Sequence, residues 1–290
     1  MLDFLFSVLR LSTPLIFAAM GGFLSERAGV VNIALEGLML VGAFAAAAAT
    51  VYTGSLFFGI VAAGLAGVVF AAIYGLFVLQ FRVDTIVGGT AINLLAAGTV
   101  PFFCKIFFGV TGSTPSLAVG MNLDFWMIVG AWGVVAVLQY GSSFTPMGLW
   151  HQFAGEKPAA LESAGISVRK IQWISVLASG AMAAMGGMTL SILLSSGYSR
   201  NMTAGRGFMA LAALIFGKWR PLPAALACLL FAAAEAAQIR LPNVLGDFAS
   251  LIPAQAIQVL PYVVTLFFVV GWVGRSRAPS ALKSHPWSSG

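Results

Sequence analysis

Apolar residues run through this chain in long blocks, and the polar positions mark where the blocks break. A helix that crosses a bilayer needs about 20 predominantly apolar residues. Nine blocks fit or approach that length, at residues 6–24, 30–51, 55–79, 86–108, 124–143, 171–194, 205–217, 221–238 and 257–273. The pattern predicts an all-α polytopic membrane protein with about nine transmembrane helices. The seventh block is too short to cross as one regular helix, so a tilted, broken or partly re-entrant element is expected there. Within the blocks, small residues such as Ala62, Ala63, Gly64, Ala66 and Gly67 suit close helix packing in lipid, where no hydrophobic effect drives helices together.

One internal break is long and polar. Thr145–Gln172 carries Glu156, Lys157, Glu162, Arg169 and Lys170, five of the chain's 24 charged residues. Proline is tolerated in a first helical turn and glycine suits a C-terminal cap. Pro158 followed by Ala159, Ala160, Leu161 and Glu162 therefore predicts a short helix ending near Gly165. Such a helix on the water side of a membrane protein is either a docking element or an ordinary connection between spans.

The chain also resembles itself. Shifted by 165 positions and without a gap, Ala18-Ala19-Met20-Gly21-Gly22 overlies Ala183-Ala184-Met185-Gly186-Gly187, and the first four blocks overlie the last four. Four helices, one extra and four more make two repeats of opposite orientation, an arrangement found in many transporters. The expected organisation is one transmembrane domain over 1–274, with repeat one at about 6–109, a separate helix at 124–143, the polar segment 145–172, repeat two at about 171–274 and a tail at 275–290.

Composition changes the picture by exclusion. With 60% hydrophobic and 8% charged residues, the chain is far from a soluble domain, in which about a quarter of residues are charged. A cleaved leader would be followed by a water-compatible remainder, whereas here apolar blocks continue to Trp272. Cys104 and Cys228 lie in apolar surroundings and read as packing residues. The net charge of +6 points to membrane orientation rather than nucleic acid. With a cytoplasmic C-terminus and nine crossings, the inner ends hold Arg27, Arg82, Lys157, Arg169, Lys170, Lys218, Arg220, Arg275, Arg277 and Lys283. The outer ends hold Arg10, Lys105, Arg200, Arg206 and Arg240. That bias of ten to five favours an external N-terminus and a cytoplasmic Thr145–Gln172.

The second polar feature is Ser25–Gly37, with Glu26, Arg27, Asn32 and Glu36. A charge at mid-bilayer costs ~2.5–3.5 kcal/mol on insertion scales, so Glu36 is expected to face protein or an aqueous path. Asn32 and Glu36, four apart, would share one helix face. With Asn93, they form the candidate substrate pathway. The alternative is structural, with Glu26-Arg27 marking a span end and Glu36 pairing with a basic residue. Two nucleotide-like patterns fail: Gly205-Arg206-Gly207 lacks a third glycine, and Gly217-Lys218 has Ala212 where a phosphate loop needs glycine. His151 and His285 stand alone, so no metal-ligand set is expected.

Four blocks of sequence resemble a known family. Thr13–Phe44 resembles the opening of permease subunits of bacterial ATP-binding-cassette importers for nucleosides, in the superfamily of simple-sugar and branched-chain amino acid permeases. Asp84–Leu95, Gly155–Ala160 with Gly165-Ile166, and Gly205–Trp219 agree in the family's order. The resemblance implies the vitamin-B12-type (type II) importer fold, with two inverted repeats around a separate helix. The family's first peripheral helix has no counterpart here, in keeping with an external N-terminus. It implies a coupling helix carried by Gly155, Glu156, Lys157, Pro158, Ala159, Ala160 and Gly165, with Lys157 at a position usually held by asparagine. It implies no catalytic residue and no cofactor in this chain, since ATP and magnesium would be bound by a partner ATPase. The other implied partners are a second permease chain, expected to be a longer relative, and an external substrate-binding lipoprotein or periplasmic protein. The implied site is the bacterial inner membrane. A sugar importer is the nearest alternative. An ion-driven transporter is another, with Glu36 and Glu235 as its only intramembrane carboxylates.

Overall fold

The computed structural model describes residues 2–117, 123–245 and 279–280. Apart from one antiparallel bridge between Ser113 and Ser199, their regular structure is helical. The helices are α1 (Leu2–Arg27), α2 (Leu35–Thr53), α3 (Leu56–Gly75), α4 (Thr85–Phe108), α5 (Leu123–Phe144), α6 (Pro146–Glu156), α7 (Pro158–Ser163), α8 (Val168–Thr189), α9 (Arg206–Phe216) and α10 (Pro221–Leu245). α3 and α8 continue into wider π turns at Leu76–Gln80 and Leu190–Leu194. Seven of the described helices are long and apolar enough to cross a membrane, namely α1 to α5, α8 and α10. The chain is therefore a multi-pass membrane protein. The ninth sequence block, 257–273, lies outside the described residues, as does most of the tail.

Two expectations change. The second span begins at Leu35, not at residue 30, because α1 closes in a Schellman motif. The Gly29 amide donates to Glu26 O (3.0 Å) and the Val30 amide to Ser25 O (3.1 Å), with Gly29 left-handed at φ 88°. Residues 28–34 are consequently a turn, so Asn32 and Glu36 do not share a helix face. The polar segment contains a second helix, α6, which starts where the Thr145 hydroxyl accepts the Gly148 amide with Pro146 in the first turn.

α1, α2 and α8 are the most buried spans, and α3, α4 and α5 the least. The contact between α1 and α8 has a local two-fold relation. A Cβ on Gly21 would lie 2.7 Å from Ser179 O, 3.2 Å from Ala183 N and 3.3 Å from Met182 Cβ. A Cβ on Gly186 would lie 2.7 Å from Pro14 O, 3.3 Å from Ala18 N and 3.4 Å from Phe17 Cβ. Each residue of the second set is its counterpart in the first displaced by 165 positions. The sequence match between 18–22 and 183–187 thus lies at a reciprocal helix crossing, where only glycine permits such backbone proximity.

The ends of the helices sort the charges. At one end the Arg169 guanidinium reaches Gln80 and Leu79 O, Arg27 lies 3.9 Å from Glu156, and Trp219 binds Glu26. At the other, Arg10 pairs with Asp124 at 3.3 Å and Arg240 donates to Ser7 at 3.1 Å.

Candidate functional site

The short seventh block becomes α9, whose eleven residues span roughly 16 Å. The Ser195–Gly205 loop leads into it through left-handed residues at Ser196, Asn201, Ala204 and Gly205. Helix N-termini carry unsatisfied amides and partial positive charge. Here the Glu36 carboxylate fills that role from α2. Its Oε1 accepts the Gly205 amide (2.8 Å) and its Oε2 the Gly207 amide (2.7 Å). Gly207 is needed for this approach, since a Cβ there would stand 2.5 Å from the Glu36 backbone. Glu36 thus meets backbone amides, where the structural alternative expected a basic side chain.

The far end of α9 is also held by a carboxylate. Buried Glu26 accepts the Trp219 indole N–H at 2.6 Å and also bonds the Asn32 backbone. The α9–α10 turn closes in a second Schellman motif, with the Lys218 amide on Ile215 O and the Trp219 amide on Leu214 O. Lys218 and Trp219 are both left-handed at φ 53°, a conformation that costs a non-glycine residue ~1–2 kcal/mol. A hydrogen bond to a charged group contributes ~1.5–3 kcal/mol. Trp219→Phe is therefore expected to lower unfolding stability by about that amount while preserving most of the packing volume, as thermal unfolding in detergent would record.

Asn32 and Asn93 fix the turn between α1 and α2. The fully buried Asn32 donates Nδ2 to Ser179 Oγ (2.8 Å) and accepts the Ala34 amide on Oδ1 (3.1 Å). Asn93 donates to Ile33 O (3.0 Å) and accepts the Gly37 amide (2.8 Å). Asn32, Glu36 and Asn93 are thereby gathered around one turn, with their polar atoms committed to protein. Arg206 pairs with Glu235 on α10, so both carboxylates considered for ion coupling are compensated within the fold.

The polar segment is seated by its neighbours. Gly155 packs against the end of α1, where a Cβ would lie 2.2 Å from Arg27 O. His151 Nε2 is 2.6 Å from Leu24 O, and burial holds the imidazole below its usual range despite that bond. Glu156 ends α6, and Lys157 is the break. α7 then runs from Pro158 to a third Schellman closure at left-handed Gly165, with the Gly165 amide on Glu162 O and the Ile166 amide on Leu161 O. Leu161 anchors α7 in an apolar cluster with Ala154 and Val168. Glu156, Lys157, Pro158, Ala159 and Ala160 remain exposed. The arrangement is a two-helix projection packed against the end of α1.

Sequence reasoning missed Ser179, Trp219 and His151 as positioning residues. Thr145-Pro146 signalled α6, whereas nothing local tied Trp219 to a carboxylate 193 positions away.

The model of the branched-chain amino acid transport system permease component matches residues 4–269. The guanosine ABC transporter permease protein NupQ of Bacillus subtilis is 34% identical over 299 aligned residues, covering 93% of this chain and 92% of that protein. The nucleoside ABC transporter permease protein NupC of Lactococcus lactis is 32% identical, covering 95% of this chain and 93% of that protein. Among solved structures, the chain is similar to an inward-facing metal-chelate type ABC transporter, with a TM-score of 0.51 and 16% identity over 90% of this chain and 85% of that one. At that identity the likeness is one of fold.

Proposed function

The chain belongs to the family of branched-chain amino acid transport system permease components, and from that membership we propose that it is the permease subunit of a bacterial inner-membrane ABC importer for nucleosides. The observation that carries the substrate is the likeness, over more than nine-tenths of each chain, to the guanosine and nucleoside permeases. Hydrolysis of ATP, with its magnesium, belongs to a separate ATPase. A second, longer permease chain and an external binding protein complete the assembly. The basic end of the bundle faces the cytoplasm.

In this reading the two halves of the chain are inverted repeats whose rocking opens the path to either side. The reciprocal crossing of α1 and α8 supports it. The α6–α7 projection is the surface pushed by the ATPase. Its short helices, their proline starts and their glycine-closed end favour transmission of displacement, which a flexible connection would absorb.

Uptake tests the substrate. Cells carrying the whole importer should accumulate labelled guanosine or another nucleoside in competition with unlabelled nucleosides, and excess ribose or glucose should not compete. Competition by the sugars alone would replace the nucleoside reading with the sugar one. Ala160→Trp, on the exposed face of α7, is expected to leave permease yield unchanged and to reduce both ATPase binding and nucleoside-stimulated hydrolysis. Wild-type coupling in that variant would remove α7 from the docking surface.

A further inference from the structure

We propose that the groove between α1, α6 and α10 binds an anionic phospholipid, with its headgroup at Lys218 and Arg220 and an acyl chain along α10. The groove holds about 900 Å³. Its mouth carries Arg27, Lys218 and Arg220 against a single carboxylate, Glu156, which is engaged with Arg27. Among the described residues, the Lys218 and Arg220 side chains have no hydrogen bond or ion pair, and both are exposed. Deeper in, the walls turn apolar at Phe216, Leu226, Ala227 and Leu230. From Pro223 to Phe231 the wall runs along α10 for roughly 13 Å, close to the depth of one leaflet of a hydrocarbon core about 30 Å thick. Leu222 and Leu226, at 45% and 53% exposure, leave this side of α10 open toward lipid.

Lys218 adds an independent argument. It occupies the left-handed closing position of α9, where glycine would sit without strain. Keeping a cation there is a cost to the fold that a ligand at the mouth would repay. An acidic protein segment would satisfy the cations and leave the apolar wall uncovered. The chain's own tail reaches the mouth, where Ser280 Oγ donates to Glu156 O, but 275–290 contains Arg275, Arg277 and Lys283 and no acidic residue, so it cannot neutralise Lys218 and Arg220.

Native mass spectrometry of the purified full importer, titrated with phosphatidylglycerol or phosphatidylcholine, tests the site. Wild type should retain phosphatidylglycerol about thirtyfold better than phosphatidylcholine, given two basic residues at the surface. Lys218→Gly combined with Arg220→Gln should erase the preference, and because Lys218→Gly relieves the left-handed strain, its loss of lipid cannot be ascribed to misfolding. Ala227→Trp should lose bound lipid with the charges intact, and excess inorganic phosphate should not displace the lipid. Undiminished preference in the double variant overturns the proposal. So does displacement by phosphate with Ala227→Trp neutral, which would mark a plain anion site. Photo-crosslinking from position 226 into the ATPase or the tail, with none to lipid, would assign the groove to protein instead.

Discussion

Replacing Glu36 by alanine is expected to cut nucleoside uptake by roughly tenfold or more, because two hydrogen bonds to a charged acceptor, each contributing ~1.5–3 kcal/mol, disappear together. The amides of Gly205 and Gly207, both at the start of α9, would then be left with no acceptor. α9 would lose both its cap and its tie to α2, while Arg206–Glu235 and Trp219–Glu26 would still hold its other contacts. The damage is therefore local to the broken span, and the protein should still insert. Glu36→Gln should fall between, since one amide oxygen accepts where two carboxylate oxygens did and the NH2 meets an N–H. Uptake per copy of membrane-inserted protein is the measurement, and normal uptake by well-inserted Glu36→Ala would show that α9 is held without it.

Gly187→Val is expected to prevent assembly of the bundle. A Cβ on Gly187 would lie 1.7 Å from Met39 O, and one on Gly42 would lie 2.2 Å from Ala184 O. Both clashes are with backbone, so no rotamer change relieves them and α2 must leave α8. Overpacking a core already costs ~1–3 kcal/mol when side chains can shift, and here the two central helices separate. The same substitution at Gly64, where a Cβ meets nothing within 4 Å, should be neutral. Recovery of monodisperse protein after detergent extraction distinguishes them. Equal recovery of the Gly187 and Gly64 variants would mean that the α2–α8 crossing is not close in the assembled protein.

Much of the architecture was legible in the chain because lipid imposes its rules locally. Every backbone amide in hydrocarbon must be satisfied within a helix, so apolar length alone marked α1, α3, α4, α5, α8 and α10 to within a few residues. Proline and glycine act on their own backbone, so Pro158 and Gly165 announced α7. The run Ala18–Gly22 and its copy at 183–187, legible as a repeat, lie where α1 and α8 cross, since close packing in lipid favours small residues. What the chain could not announce were the partners of its polar groups. Asn32, Glu36 and Asn93 were visible as polar residues too costly to leave in lipid. Their actual commitments, to Ser179, to the start of α9 and to the turn before α2, are made across distances of 56 to 171 positions. Hydrogen-bond pairing over such separations is settled by how helices pack. The sequence therefore determined a membrane bundle with one broken span, and only the tertiary structure decided that Glu36, a carboxylate too costly to leave in lipid, is the cap of that span.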